Sequence, residues 1–353
     1  MTNLTNATGS ERRWWGVMPV LPAPVMGGIA KQMEAVGFEG RFSLQIYGPP
    51  FVPMAAVAAL TDTLKVATGI AVAGTRSPVE TAFAAIECDT ISQGRFVLGL
   101  GTSLHSAICG IYGEPKRKLL THMREVVKVV RYVNANAHKR MAPLHGEYFH
   151  AEWTEMMMTA PPVREHIPIW IAALQDRLTS LALEIEDGLM VHALWTVDYT
   201  VQKKSFIEAE LARFGRARGD LEVNAWPWIA ISDNKQQAID DSRSTVAGYA
   251  GYKEYEPFFD AVGFGDQARA CQLATGKHGD VSSVTGNVSD EMVEAFVSCG
   301  PIDEVLKKIE PFWSVVDSLC PMTPYRNLSQ EQLMSYNSAL YAMVAEARRR
   351  QAG

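Results

Sequence analysis

The sequence predicts an α/β barrel built from parallel strands. Segments rich in branched apolar residues alternate with segments of helical periodicity along the chain, which is the pattern of a parallel sheet covered by helices. Eight strand-like segments can be assigned, and that number favours closure into a barrel over an open sheet. The 353 residues are 47% hydrophobic and 20% charged, enough for a large core, so we predict one domain spanning residues 1–353.

One strand, helix and strand unit shows the alternation most clearly. Residues 66–72 are apolar and largely β-branched without polar alternation, which is typical of a parallel strand covered on both faces. Ser77, Pro78 and Glu80 then predict a helix start, as the N-cap, the first helical residue and the acid of a capping box. The next strand follows at residues 96–100. This unit therefore supplies two neighbouring strands of the barrel.

The other elements follow the same alternation. The predicted strands lie at residues 15–20, 42–46, 66–72, 96–100, 168–173, 188–194, 223–231 and 315–322. Helices fill the gaps between them, among them one with Thr121 as its N-cap. The connections at residues 136–167 and 248–300 are longer than a minimal barrel needs, and such insertions usually shape a pocket or an oligomer contact. Residues 1–12 are polar, and we expect them to be frayed.

The composition argues against several classes of function. The formal net charge of -6 and the scattered Lys and Arg residues provide no basic field for nucleic acid. No apolar run approaches the roughly 20 residues that a membrane-spanning helix requires. The first residues lack the apolar core of a signal peptide, so we expect a soluble, cytoplasmic protein. The five cysteines are widely spaced and form no C-x-x-C motif, which predicts neither a disulfide framework nor a zinc ribbon.

Three histidines and two glutamates in the first insertion raise the question of a metal site. They are His138, His145, Glu147, His150 and Glu152. Their spacing lacks the one-face helical arrangement of the zinc protease motif, and they fall in a predicted loop. We therefore predict no metal site.

A series of short motifs runs along the chain in a fixed order. The residues that form them are Arg76, Pro78, Asp89, Ser92, Gly94, Arg95, Gly99, Gly101, His145, Gly146, Tyr148, Phe149, residues 168–173, Ala182, Glu184, Asp187 and Gly188. Each motif is weak by itself. Together and in this order, over nearly the whole chain, they resemble the luciferase-like oxidoreductases, the superfamily of bacterial luciferase and the coenzyme F420-dependent reductases. The segments that follow Gly188 look most like the F420-dependent type.

This resemblance implies a (β/α)8 TIM barrel of the bacterial luciferase-like type, with insertions. It implies coenzyme F420 at the carboxyl ends of the strands, hydride transfer with a small to medium organic substrate, and a homodimer. An alternative is a monooxygenase that uses reduced flavin mononucleotide (FMN) and oxygen. In either case a separate reductase would supply the reduced cofactor. A further alternative is a barrel that binds a flavin-type ligand without catalysis, because Gln45 and Leu104 stand where family members carry carboxylates.

The resemblance also places the cofactor on this chain. A planar ring needs a flat apolar slot, and the small residues Gly99, Gly101, Ala172 and Ala173 fit beside it. Family members commonly have a non-proline cis peptide or a bulge at the end of the third strand, which would fall near residues 71–73. The cofactor phosphate would lie against backbone amides where the fifth helix begins. The predicted cofactor-binding residues are Gln45, Ala71, Val72, Ala73, Thr102, Ser103, Ala173, Leu174, Gln175, Asp176 and Arg177.

Candidate catalytic residues are Gln45, His105 and His192. An amide such as Gln45 cannot carry a full proton, but it can hydrogen-bond a ring carbonyl or a substrate oxygen. Otherwise Gln45 is a polar residue of the rim. His105 is either a solvated loop residue or an acid or base, since histidine titrates near neutrality. Tyr47 and Trp195 are predicted to line the substrate pocket. Tyr47 could equally belong to a rigid turn, and of His192 and Trp195 only one can face inward cleanly.

Overall fold

The computed structural model describes residues 5–46, 48–153, 158, 160–278 and 284–352, without the side chains of 105–107, 276–278 and 352. Its strands are β1 Arg13–Val17, β2 Gly40–Ser43, β3 Lys65–Thr68, β4 Ala71–Val72, β5 Phe96–Gly101, β6 Leu144–His145, β7 His150–Ala151, β8 Ile169–Ala172, β9 Gly188–His192, β10 Glu222–Trp226, β11 Trp228–Ile231, β12 Val297–Gly300 and β13 Ser318–Leu319.

The helices pack between these strands in the chain order expected of a barrel. They are α1 Ala23–Val36, α2 Phe51–Ala58, α3 Pro78–Ile91, α4 His105–Ile111, α5 Leu119–Asn136, α6 Asp176–Ile185, α7 Val197–Gln202, α8 Lys204–Arg213, α9 Lys235–Ala250, α10 Glu256–Ala261, α11 Gly265–His278, α12 Asp290–Phe296, α13 Ile302–Ile309 and α14 Gln330–Ala352. None of the described helices is both long enough and apolar enough to span a membrane.

The strand order is that of a parallel (β/α)8 barrel, as the sequence predicts. The order is β3-β2-β1-β13-β10-β9-β8-β5, and an additional pairing of β3 with β5 closes the ring. Each of the eight predicted strands overlaps one of these. The prediction of one continuous strand at 223–231 is wrong. Pro227, which has no N–H to donate, separates β10 from β11. Strand β11 pairs with β12 in a separate two-stranded sheet. The sequence analysis did not foresee β12.

The described residues fall into two compact units. Unit A comprises Trp15–Met190 and Glu210–Glu222, and unit B comprises Met1–Trp14, Val191–Ala209 and Val223–Gly353. A single domain for the whole chain stays a prediction.

Unit A contains the parallel run from the end of β1 through β2, β3, β5 and β8 to the start of β9. Close strand packing requires glycine at Gly99, where a Cβ would lie 1.8 Å from the Thr68 carbonyl oxygen. Helix α3 begins as predicted, with Ser77 Oγ accepting from the Val79 N–H at 3.2 Å. Helix α5 starts two residues before the predicted N-cap Thr121, which therefore lies inside the helix.

Unit B contains β13 between the start of β1 and β10, together with the β11–β12 pair. The second insertion, predicted at 248–300, folds here as helices and ends in β12. We expected residues 1–12 to be frayed. Asn6, however, is buried, and its side-chain amide donates to the carbonyl oxygens of Glu11 and Asp317 at 3.1 and 3.3 Å. Residues 5–12 therefore pack onto this unit.

Candidate functional site

Gln45 holds β4 and the residues that follow it in place. Its Oε1 accepts from the Val72 N–H at 3.0 Å, and its Nε2 donates to Thr75 Oγ1 at 3.1 Å and to the Tyr112 hydroxyl at 3.4 Å. Thr75 Oγ1 in turn donates to the Val72 carbonyl oxygen at 2.9 Å. The Gln45 amide thus uses both its acceptor and its donor group on the protein. This geometry makes Gln45 a positioning residue for the segment that follows β4.

The segment Ala71–Ala73 is buried and lies alongside β5. Ala71 pairs with Leu100 and Val72 with Gly101, and the Ala73 N–H donates to the Gly101 carbonyl oxygen at 3.0 Å. The peptide bond between Gly69 and Ile70 is cis, just before the segment where the resemblance placed such a bond. Three small or β-branched apolar residues are therefore fixed in place at this strand end.

The space beside Gly101 corrects one of our interpretations. We expected the missing side chains of Gly99 and Gly101 to let a planar ring approach the backbone. A Cβ on Gly101 would instead lie 2.2 Å from Cδ1 of Ile70, and one on Gly99 would meet the Thr68 carbonyl. Both glycines are needed because protein atoms fill these positions. Of the small residues proposed to line the slot for the ring, only the alanines are still candidates.

Exposed apolar side chains follow the carboxyl ends of β1 and β2. Val20 is 69% exposed, Leu44 36% and Ile46 58%. Large apolar side chains left in contact with water near strand ends are a common feature of ligand-binding surfaces. Tyr47, which we predicted to line the substrate pocket here, lies outside the described residues.

The loop after β5 carries three of the predicted residues. Thr102 is half-buried, and Ser103 is exposed with a φ of +56°, in the left-handed region. Helix α4 begins at His105, whose backbone is described but whose side chain is not. A catalytic role for His105 therefore stays a prediction.

The start of α6 supplies the remaining predicted cofactor contacts. Ala173 is buried and donates to the Met190 carbonyl oxygen at 3.0 Å, whereas Gln175, Asp176 and Arg177 are exposed. The Gln175 side chain does not cap the helix. An exposed helix start next to an arginine suits a phosphate. The Asp176 carboxylate in the first turn would repel a phosphate, so the positive charge of Arg177 would have to offset this repulsion.

His192 and Trp195 belong to unit B. The His192 ring stacks on Tyr249, with ring centroids 4.9 Å apart, and its Nδ1 accepts from the Leu194 N–H at 3.4 Å. Burial lowers the pKa of His192 to about 4, so the imidazole is neutral at pH 7, with its proton on Nε2. Trp195 is buried and lines a small cavity with Thr196, Trp228 and other residues of unit B.

The motif residues that carried the family resemblance have structural roles at the amino ends of the strands. The Arg95 guanidinium donates to the carbonyl oxygens of Ala58, Thr61 and Leu64 at 2.5–2.9 Å. The buried Asp89 carboxylate pairs with Arg164 and accepts from the Phe96 N–H at 3.3 Å. These contacts tie helix ends to the starts of β3 and β5.

The Asp187-Gly188 motif has the same role at β8 and β9. Arg131 pairs with Glu186 at 2.9 Å and with Asp187, and Asp187 accepts from the Ile169 N–H at 2.8 Å. Glu186 is fully buried, and its Oε1 has no hydrogen-bond partner among the residues that the structure describes. Burial raises the pKa of Glu186 to about 8 despite the opposing charge of Arg131. This carboxyl group is therefore largely protonated at neutral pH.

The motif of His145, Gly146, Tyr148 and Phe149 forms the β6–β7 hairpin. The Glu125 carboxylate accepts from the N–H groups of Glu147, Tyr148 and Phe149 at 2.5, 2.9 and 3.3 Å. A Cβ on Gly146 would lie 2.6 Å from that carboxylate, which explains the glycine. Within the described part of the chain, no group of three or more His, Cys, Asp or Glu residues is arranged to hold a metal ion.

Comparison with known proteins decides the family. The sequence model of the luciferase-like monooxygenases matches residues 21–315. The chain belongs to this family. Among its relatives is the uncharacterized protein Rv1360 of Mycobacterium tuberculosis, 28% identical over 282 residues that cover 78% of this chain and 83% of that protein. Another is Rv3520c of the same organism, provisionally named a coenzyme F420-dependent oxidoreductase, 26% identical over 85% of this chain and 90% of its own length.

Solved structures of two other proteins show the same fold. The coenzyme F420-dependent tetrahydromethanopterin reductase of Methanopyrus kandleri superimposes with a TM-score of 0.79 at 21% identity, over 96% of this chain and 98% of the reductase. The monooxygenase RslO1 of Streptomyces bottropensis gives a TM-score of 0.67 at 16% identity, over 96% and 99% of the two chains. The likeness to these two structures shows the fold alone.

The sequence analysis missed several residues of the strand-end network. Thr75 and Tyr112, which hold Gln45, were not singled out. Their partners lie 30 and 67 residues away, so no local pattern could have identified them. Tyr249, which stacks on His192, was also missed. Its spacing of three from Tyr252 and again from Tyr255 was the available signal.

Proposed function

We propose that this protein is a coenzyme F420-dependent oxidoreductase that transfers a hydride between the deazaflavin ring and a small to medium organic substrate. The observation that carries the proposal is the buried segment Ala71–Ala73, fixed by Gln45 and β5 in the same unit as the exposed apolar residues Leu44 and Ile46. A flat ring requires such an apolar wall with an immobile backbone. The provisional name of Rv3520c supports F420 as the cofactor.

The residues of unit A can divide the work of holding this cofactor. The alanines at 71, 73 and 173 would contact the ring, and Thr102 and Ser103 offer hydroxyl groups to its polar edge. Arg177 and the start of α6 would hold the phosphate of the tail. When bound, F420 supplies or accepts the hydride. The protein's part is to orient the ring through the segment that Gln45 holds and to keep water from it.

Cofactor titration tests this proposal. Purified protein is titrated with F420 and with FMN, and binding is followed by absorbance and fluorescence of each cofactor. We expect F420 to bind with a dissociation constant in the micromolar range or below, and FMN not to bind at comparable concentrations. Tighter binding of FMN would overturn the proposal in favour of the flavin monooxygenase alternative.

Turnover is tested with the cofactor that binds. Carbonyl compounds, alkenes and alcohols are offered with reduced or oxidised F420, and loss or gain of the 420 nm absorbance band reports hydride transfer. We expect turnover with at least one of these classes. Tight F420 binding without turnover in any class would contradict an enzymatic function. It would favour the alternative of a barrel that binds the cofactor without catalysis.

The proposal extends to the assembly and the place of action. We propose a cytoplasmic homodimer that receives its reduced cofactor from a separate reductase. Light scattering of the purified protein gives the mass in solution, and a monomer at micromolar concentration would contradict the dimer.

A further inference from the structure

Unit B contains a cluster of tyrosine rings around one arginine, to which neither the barrel nor the proposed cofactor site gives a role. We name it the tyrosine–arginine cluster, consisting of Tyr249, Tyr252, Tyr255, Tyr325 and Arg326. Tyr249 stacks on Tyr255 at 5.6 Å between ring centroids, and Tyr252 meets Tyr255 edge-on at 5.9 Å. The Arg326 guanidinium carbon lies 6.0 Å from the Tyr249 ring and 5.8 Å from the Tyr325 ring.

Arg326 is distinguished from other arginines of unit B by its partners. The arginines that pair with carboxylates are Arg12, Arg243, Arg269, Arg348, Arg349 and Arg350. Arg326 is half-buried, and its partners among the described residues are the rings and hydroxyl groups of tyrosines. Among the described residues its Nε, which is buried, has no hydrogen-bond partner. Burial lowers the pKa of Arg326, but the neighbouring tyrosines raise it above its usual range, so the guanidinium stays charged and can pair with an anion.

The chain makes room for this arginine. A Cβ on Gly248 would lie 2.6 Å from Arg326 Nε and 2.7 Å from its guanidinium carbon. Glycine in a helix interior is less favourable than alanine, and Gly248 lies within α9. The Arg326 backbone is also fixed, because its N–H donates to Thr245 Oγ1 at 3.3 Å. The space beside Gly248 therefore accommodates the guanidinium, and the hydrogen bond to Thr245 fixes the backbone of Arg326.

The hydroxyl groups around Arg326 add hydrogen-bond donors. The hydroxyl groups of Tyr325 and Tyr252 interact with Arg326, and that of Tyr325 also interacts with Tyr249. Burial raises the pKa of Tyr255 to about 12 and that of Tyr249 well above its usual range, so both hydroxyls keep their protons at pH 7. Tyr252 and Tyr325 are 40% and 46% exposed, which leaves the cluster open to solvent.

We infer that the tyrosine–arginine cluster binds the oxyanion of a small molecule with a planar, apolar body. Arg326 pairs with the carboxylate or phosphate, the phenol groups of Tyr252 and Tyr325 donate hydrogen bonds to it, and the exposed tyrosine rings contact the planar part. This binding site lies wholly within unit B. It goes beyond the proposed function and does not depend on it, since the cofactor residues named above belong to unit A.

The test uses benzoate as a planar carboxylate, benzamide as its uncharged isostere, and inorganic phosphate as an anion without a ring. Binding to the full-length protein is measured by ligand-observed NMR and calorimetry. We expect benzoate to bind with a millimolar or tighter dissociation constant, and at least about tenfold more tightly than benzamide, because a charge-assisted pair is worth about 1.5 kcal/mol or more. Phosphate binding that depends on Arg326, with no benzoate binding, would assign the oxyanion as a phosphate.

Three variants, compared with one control variant, test whether the tyrosine–arginine cluster is the binding site. Arg326→Gln should weaken benzoate binding at least about tenfold, and Arg326→Lys should recover part of the loss because the charge returns without the planar fork. Gly248→Ala, which pushes the guanidinium aside, should also weaken binding. Arg349→Gln removes an equal charge from an exposed pair of unit B and should leave the affinity unchanged.

The inference fails if benzoate and phosphate do not bind, or if they bind equally well to Arg326→Gln and to the unaltered protein. Circular dichroism of each variant checks its folding. If Arg326→Gln does not fold, the comparison of Arg326→Lys with Gly248→Ala takes its place, and equal affinity of both with the unaltered protein would overturn the site. F420 binding, measured in the same samples, tests the proposed function separately.

Discussion

The two ends of the strands in unit A use their side chains in opposite ways. At the amino ends, buried carboxyl groups pair with arginines and with backbone groups, as Asp89 does with Arg164 and Glu186 with Arg131. At the carboxyl ends, the segment Ala71–Ala73 is uncharged and Gln45 is a neutral amide. The comparison teaches that the motifs of the family resemblance specify the barrel. We propose that the reaction depends on the other end, where motifs are sparse.

Removing a charge from the amino end should give the largest effect. Asp89→Ala leaves the Arg164 guanidinium without its buried partner and the Phe96 N–H without an acceptor. We expect a loss of about 3–5 kcal/mol in the free energy of unfolding, measured by urea denaturation. F420 affinity of the folded fraction should not change.

The control for this prediction is an exposed ion pair. Glu147→Gln breaks the pair with Lys118, whose side chain is 75% exposed, and should lower the free energy of unfolding far less than Asp89→Ala does. Equal losses in the Asp89 and Glu147 variants would break the distinction between the two ends.

Glu186 makes the amino end sensitive to pH. Its pKa is about 8 in the folded state against 4.5 for a solvated glutamate carboxyl group, so the folded state binds more protons between these values. Its contribution to stability therefore falls as pH rises through this window, at about 1.4 kcal/mol per unit. Glu186→Gln should flatten the decline between about pH 5 and about pH 8 and should be more stable than the unaltered protein near pH 8. Parallel stability curves for the two proteins would contradict the buried, protonated carboxyl group.

At the carboxyl end, Gln45→Ala should affect binding more than folding. The change removes the acceptor for the Val72 N–H and the donor to Thr75, which frees the segment after β4. We expect F420 affinity to fall about tenfold, corresponding to about 1.4 kcal/mol, with a smaller change in the free energy of unfolding. The matched control is Gln237→Ala, an exposed glutamine that bonds Asp241. A loss of stability in Gln45→Ala without loss of affinity would place Gln45 in the same class as the amino-end residues.

The smallest effect concerns His192. Its pKa of about 4 means that the folded state stays neutral while an unfolded histidine titrates near 6.5, so stability is lost as pH falls between these values. The imidazole C–H resonances in the NMR spectrum should therefore not shift between about pH 5 and about pH 8. A titration midpoint near 6.5 would show that the ring is solvated and would restore a general acid or base role at neutral pH.

Much of the barrel could be predicted because its signals are local. The apolar run at 66–72 and the cap at Ser77 each report a strand or a helix within a few residues. Strand β12 was missed, since its partner β11 lies about 70 residues earlier and only their pairing makes it a strand. The sequence predicted which strand ends form the candidate site, but it did not predict the contacts between their side chains. The filling of the space beside Gly101 by Ile70 depends on a backbone conformation that no sequence pattern specifies.

Hydrogen exchange measured with and without F420 tests the division between the two ends most directly. The account predicts that F420 slows exchange in peptides covering residues 44–46, 71–75, 102–104 and 174–177, and leaves those covering 58–64, 89–95 and 186–188 unchanged. Protection confined to the second group, with the first unchanged, would contradict the placement of the cofactor at the carboxyl ends.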